Sequence, residues 1–229
     1  MNLVFMKRIL IGIILSLLSL PLSAQEINAS DSAILNHILI QNRHYHSTQA
    51  PFQHNIIKKG KKIHKTGTFY CERVTPMKAG DIEAKMSMLY NNPVGDYYII
   101  TTTHLYNGLN GRNKKYNFKY ISLMKLLGNA MAWAVNGDVY SLYNNFTVKL
   151  NLTADEHNYI ISLNSDDSFN KGISRLLLKY NKNTCLISYL EIEEKFGTVH
   201  KYTLGVDANG RHQQPVVNKP IDPKVYVIK

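Results

Sequence analysis

Cysteine is scarce: Cys71 and Cys185 are the only two in 229 residues. A disulfide-stapled framework is excluded, because only one pairing exists. Both cysteines fall in strand-like runs, where a lone thiol behaves as a small buried hydrophobe; a single bond between them is the alternative. Catalytic signatures are also lacking. There is no HExxH pattern, no GxSxG elbow and no cysteine inside a nucleophile signature. The stretch around Asn107-Gly108 and Asn110-Gly111 lacks the lysine and the strand–loop–helix spacing of a phosphate loop, and reads as turns. Asp166 and Asp167 lie in the turn SDDSFNKG, and Glu191, Glu193 and Glu194 sit on a strand with charges outward. Nine histidines are present, but His44 and His46 do not share a helical face, and His37 and His44 lack an acidic or cysteine companion. Surface histidines, no metal, no cofactor and no enzyme are the expectations.

Long apolar runs are lacking too, with one exception. Met6-Lys7-Arg8 precedes Ile9 to Leu20, which is almost wholly apolar, and Pro21-Leu22-Ser23-Ala24 ends on a small residue before Gln25. This is the layout of a secretory signal peptide, residues 1–24, cleaved near Ala24-Gln25. The run is short for a membrane span, although an uncleaved anchor is the alternative. No cysteine follows it, so the chain does not read as a lipoprotein itself. Export to the periplasm is the expectation, with residues 25–229 as a single domain.

Acidic residues are outnumbered. Without Lys7 and Arg8, 25 basic residues face 16 acidic ones, a formal charge of +9. Such a balance favours polyanions, and export removes nucleic acid from among them. The cluster Lys58-Lys59-Gly60-Lys61-Lys62 reads as a solvated loop, and residues 47–62 as a polar, basic connection containing Pro51.

Periodicity supplies the elements. Ser30, Asp31 and Ser32 offer N-cap oxygens ahead of Ile34, Leu35, Ile38, Leu39 and Tyr45, so residues 32–46 read as an amphipathic helix. Thr66 to Val74, Ile82 to Tyr90 and Tyr97 to Leu105 read as strands. In the second, Ile82, Ala84, Met86, Met88 and Tyr90 take one face, and Glu83, Lys85 and Ser87 the other. Tyr120 to Val135 is the most apolar stretch after the signal peptide, with Leu123, Leu127, Met131 and Ala134 on one helical face and Gly128-Asn129 as a potential break. Phe146 to Leu152 and Tyr159 to Leu163 return to strands. Residues Ile173 to Leu204 then form a three-strand meander, turning at Asn181-Lys182-Asn183 and Phe196-Gly197. Leu176, Leu178 and Tyr180 share one face of its first strand, and Leu186, Leu190 and Ile192 one face of its second. The tail, Pro215 to Pro223, hugs the surface, with Val225 to Ile228 as a last edge strand. The fold class is therefore α+β: a single strongly curved antiparallel sheet, an incomplete barrel, with helices covering its concave face.

The order of these elements resembles the outer-membrane lipoprotein carrier family, the LolA-like proteins, in the divergent form common in Bacteroidota. The likeness rests on the signal peptide, the helix from Ser32 to His46, TGTFYCERV leading into IEAKMSMLYNNPVGDYYII, and the meander LLLKYNKNTCLISYLEIEEKFGTVHKYTL. TTTHLYNGLNGRNKKY departs from it, being polar where a strand pair is expected. The resemblance implies a monomer with a helical lid that carries lipoprotein acyl chains across the periplasm between inner- and outer-membrane receptors. It places Leu123, Leu127 and Met131 on the lid, and Met86, Met88, Leu176, Leu178, Leu190 and Ile192 on the concave, lipid-binding face. Methionine adapts to irregular apolar partners, which suits that role. An envelope-stress sensor on the same scaffold and a polysaccharide- or lipopolysaccharide-binding protein are the alternatives.

Overall fold

A computed structural model of the chain describes residues 27–74, 83–120, 122–146, 148–165 and 172–227. The signal segment, the first residue of the expected second strand (Ile82) and the Asp166-Asp167 turn lie outside the described residues. The chain begins with helix α1 (Ala29–Asn42). Six strands follow: β1 (Ser47–Lys58), β2 (Lys61–Arg73), β3 (Ala84–Asn92), β4 (Val94–Ile100), β5 (His104–Leu109) and β6 (Arg112–Asn117). Helices α2 (Ser122–Asn136) and α3 (Val139–Phe146) lead to β7 (Val148–Ala154), β8 (Asn158–Ser165), β9 (Ile173–Asn181), β10 (Ile187–Glu194) and β11 (Val199–Leu204). A two-residue β12 (Val216–Val217) and a 3-10 turn (Pro223–Tyr226) close it.

All strands join one sheet in the order β6-β5-β4-β3-β2-β1-β11-β10-β9-β8-β7, with β12 beside β1. Every ladder is antiparallel. Among the described residues β6 and β7 do not pair, so the barrel stays open, and the chain crosses from one open edge to the other through α2 and α3. The incomplete antiparallel sheet with helices on one face is the architecture expected from the sequence.

Alternation sets the inner face. On β2 and β3, Phe69, Cys71, Ala84, Met86, Met88 and Tyr90 are buried, and on β9 Leu176, Leu178 and Tyr180. Rows of facing residues run across the sheet, one of them through His54, Tyr202, Leu190, Leu178 and Ile161. Leu35 and Ile38 of α1, Ala130 and Ala134 of α2, and Val139 and Leu142 of α3 pack onto this face. Buried polar groups tie the layers. The Tyr180 hydroxyl donates to the Ala134 carbonyl at 2.6 Å. Asn42 Nδ2 donates to the carbonyls of Ile38 at 3.0 Å and Cys185 at 2.6 Å.

Several expectations are corrected. Residues 47–62 are a β-hairpin, β1 and the start of β2, not a connection. Ala50, Phe52 and His54 alternate inward, a pattern hidden by Pro51 and by polar neighbours. Pro51 is tolerated because its carbonyl accepts from Gly205 N (2.8 Å) on the side where β11 has already ended, so its missing N–H costs no ladder bond. TTTHLYNGLNGRNKKY holds the hairpin β5–β6, whose turn is Asn110-Gly111, both at positive φ; Gly108 sits inside β5 under the Tyr97 ring. The first helix starts earlier, capped by Asn28, whose side chain accepts from Asp31 N, and it ends before His44 and His46. Gly128-Asn129 does not break α2. The helix ends at Gly137 (φ 71), with Gly137 N and Asp138 N donating back to the carbonyls of Ala134 and Trp133. Asp138 then caps α3 by accepting from Ser141 N at 3.0 Å, so residues up to Phe146 are helical where a strand was expected from Phe146. Cys185 lies in a turn at φ 55, not in a strand, and both cysteines are free and buried. The final strand is Val216–Val217; Val225 belongs to the 3-10 turn.

Candidate functional site

Between the sheet and α2 lies a cavity of about 390 Å³. Its floor is built by inward residues of five strands: Met88 of β3, Ile100 of β4, Leu105 of β5, Leu176 of β9, and Leu190 and Ile192 of β10. Its roof is Ala130, Met131 and Ala134, the face of α2 turned toward the sheet. Two alanines here keep the helix close to the floor without filling the space. A second hollow of about 20 Å³ runs toward Phe52 and Phe69, and Met88, Met131, Leu190 and Tyr202 border both. Rotation of the two unbranched methionine side chains is the natural way to join the hollows. At the outer end, Gly172, Glu194 and Phe196 border the larger cavity, and Phe196 is 93% exposed there.

The sheet residues expected to face lipid lie on the side of the sheet that packs against the helices, but not all of them border the cavity. Met88, Met131, Leu176, Leu190 and Ile192 do. Met86 and Leu178 are fully packed in the adjacent core. Leu123 and Leu127 belong to the first half of α2, whose side chains fall outside the described residues.

Sequence reasoning missed the polar part of the site. His54 is 2% exposed, which corrects the reading of all histidines as surface residues. Its Nδ1 lies 2.8 Å from the Tyr90 hydroxyl, and its Nε2 lies 3.1 Å from His200 Nδ1. His200 Nε2 in turn is 3.4 Å from Glu194 Oε1. One direction satisfies every atom with both rings neutral: Tyr90 donates to His54, His54 to His200, and His200 to Glu194. Burial, aided by the nearby His200 and Lys65, pulls the His54 pKa down to about 3. Burial also lowers that of His200, against the pull of Glu194. Tyr202 stacks on His54 at 4.0 Å between ring centres. The Lys65 ammonium pairs with Asp96 at 2.7 Å and stands 5.2 Å from the Tyr90 ring centre. The signal was there in period two: His54 alternates with Phe52 and Ala50, and His200 with Tyr202 and Leu204.

Among the described residues no group of three or more His, Cys, Asp or Glu is placed to hold a metal, and no helix is long and apolar enough to cross a membrane. What the geometry offers is shelter for an apolar chain, with a polar corner at one end.

Neither a family model nor a curated protein matches the chain. It is similar to a solved DUF1329 family protein from Desulfovibrio piger, at 10% identity and TM-score 0.42, over 85% of this chain and 96% of that one. It is similar to a LolA superfamily protein from Nitrosomonas europaea, at 10% identity and TM-score 0.38, over 84% and 97%. A third is the Mycobacterium tuberculosis lipoprotein LppX, at 12% identity and TM-score 0.40, over 84% and 98%. Likenesses at this level carry no weight for activity, and the fold stands on the strand order and burial given above.

Proposed function

We propose that the chain is an exported, periplasmic carrier that shelters acyl chains of lipoproteins, or of other lipids, and passes them between membrane-bound partners as a monomer. The observation that supports this is the cavity of about 390 Å³ between the sheet and α2, apolar on floor and roof and reaching the surface at Phe196. Each methylene held from water is worth about 0.8 kcal/mol, so a chain of about 16 carbons resists the aqueous periplasm by roughly 13 kcal/mol. A covered cavity removes that barrier, and a receptor that displaces α2 restores it. Met88, Leu176, Leu190 and Ile192 then hold the chain from below and Met131 from above, with Met86 and Leu178 as the packed layer beneath. Leu123 and Leu127 extend the lid. The role asks for binding and release, not for bond-breaking.

The test is native mass spectrometry of the protein purified from the periplasm without detergent, followed by titration with an acyl probe. A mass excess that yields acyl species on extraction is expected. Met131→Trp, at a half-buried helix position, fills the cavity and is expected to weaken probe binding at least tenfold, with the thermal midpoint little changed. Unaltered binding by that variant, or no binding of any acyl compound by the wild type, rejects the reading.

A further inference from the structure

The cavity is not apolar at every wall. Tyr98 of β4 and Tyr202 of β11 border it from opposite halves of the sheet, together with Glu194 and His200. Neither tyrosine hydroxyl has a hydrogen-bond partner among the described residues, although both rings are packed against the core. Every other member of the corner is engaged: His200 bonds His54 and Glu194, and His54 bonds Tyr90. Neither hydroxyl is among the polar atoms sealed in the core, so each is available to donate to an acceptor that enters the cavity.

We propose that this corner reads the head of the bound chain: the Tyr98 and Tyr202 hydroxyls donate to an uncharged acyl carbonyl, as in an ester, and Glu194 rejects a free carboxylate. The inference rests on the carrier reading and adds to it a head-group subsite with named specificity residues. A carbonyl oxygen has two lone pairs and no hydrogen, so it takes both donors at once. Burial raises the pKa of each tyrosine, and Asp96, Tyr116 and Glu194 add to this for Tyr98, and Tyr98 and Glu194 for Tyr202, so both remain protonated donors. A fatty-acid carboxylate in the same place faces Glu194 at close quarters, where like charges repel strongly in a partly desolvated site. The corner includes Glu194, which borders the cavity together with Phe196 at its outer end, and this puts the head toward that end.

Displacement of Nile red from the full-length protein by methyl palmitate, palmitate and hexadecyltrimethylammonium, at pH 7.5, tests this. Methyl palmitate is expected to bind at least tenfold more tightly than palmitate. Tyr98→Phe combined with Tyr202→Phe is expected to erase that preference and leave the thermal midpoint unchanged, because the two hydroxyls bond nothing among the described residues. Glu194→Gln is expected to bring palmitate up toward the ester. Palmitate or the ammonium compound binding more tightly than the ester overturns the inference, as does an undiminished preference in the double variant. If none of the three displaces the dye, the carrier reading fails and not merely this subsite. A diacylglyceryl lipopeptide and a phosphatidylglycerol with matched chains then separate the two sources of ester; tighter binding of either names the source and supports the subsite.

Discussion

His54 shows how one residue ties stability to acidity. Folded, it titrates near 3; unfolded, near 6.5. Below pH 6.5 the unfolded chain therefore takes up a proton that the folded one refuses. The stability that goes with a neutral His54 is complete above that value and is lost as the pH falls toward 3. The loss is about 1.4 kcal/mol per pH unit, or about 2 kcal/mol between pH 6.5 and 5. Glutamine at position 54 offers hydrogen-bonding groups to Tyr90 and His200 without titrating. Urea unfolding at pH 7.5 and pH 5 is expected to show the wild type losing about 2 kcal/mol more than His54→Gln across that interval. Equal losses in the two proteins remove His54 from the account, since His200 is present in both. On the convex face Glu191 titrates in a related way. Burial alone raises its carboxyl, but bonds from Tyr189 (2.5 Å), Lys201 (3.2 Å) and Arg175 (2.6 Å) outweigh that and hold it below the usual range. The expectation of outward charges on β10 fits Glu191 and Glu193, both paired with Arg175, although those neighbours leave Glu191 only 6% exposed. Glu194 departs from it and borders the cavity beside His200, after a register shift at Glu193.

Among the elements, the hairpin of β1 and β2 shows what the sequence conceals. Its inner residues, Ala50, Phe52 and His54, include a histidine, and its outer ones are polar, so the apolar period that marked β3 is diluted to two residues. Pro51 adds a false stop. β3, with Ala84, Met86, Met88 and Tyr90 inward, was legible because every second residue is apolar, and the meander for the same reason. Helix α3 was hidden differently: it owes its start to the Asp138 cap, and its eight residues are too few for a clear period. Close packing in the same hairpin can be tested by matched substitutions. A Cβ on Gly67 would stand 2.2 Å from the Leu89 carbonyl oxygen and 2.9 Å from the Phe52 ring. Backbone in a ladder cannot retreat, so Gly67→Ala is expected to cost about 2–3 kcal/mol by denaturant midpoint. Gly60, in the β1–β2 turn at φ 76, has nothing within 4 Å of such an atom, and Gly60→Ala is expected to cost about 1 kcal/mol, from backbone strain alone. If Gly67→Ala is no worse than Gly60→Ala, the approach of β2 to β3 is looser than described.

For the molecule as a whole, the decisive feature is that, among the described residues, α2 and α3 carry the chain between the sheet's two open edges. Because the chain enters α2 from β6 and leaves α3 into β7, the roof over the cavity is tethered at both sides. It can lift without unravelling the sheet. Position alone made the floor legible from the sequence, since strand alternation assigns faces. The cavity itself was not, because empty space arises from where α2 sits and from its small residues, of which Ala134 fell on the expected helical stripe and Ala130 outside it. The tether carries a kinetic expectation. Opening of the roof breaks side-chain contacts with the sheet but none of its ladders, so α2 belongs to the less stable part of the structure. Amides of residues 128–136 are expected to exchange with deuterium faster than those of β2 and β3 in the empty protein. On the proposed carrier role, a bound acyl ester would join roof to floor and stabilise the closed form according to its occupancy, by about 2.7 kcal/mol at a hundredfold excess over Kd. Exchange in 128–136 is then expected to slow by about a hundredfold, while that of β1–β2 changes less. Uniform slowing across the sheet, or none in α2, would mean that α2 does not act as the moving cover and that ligands enter by another path.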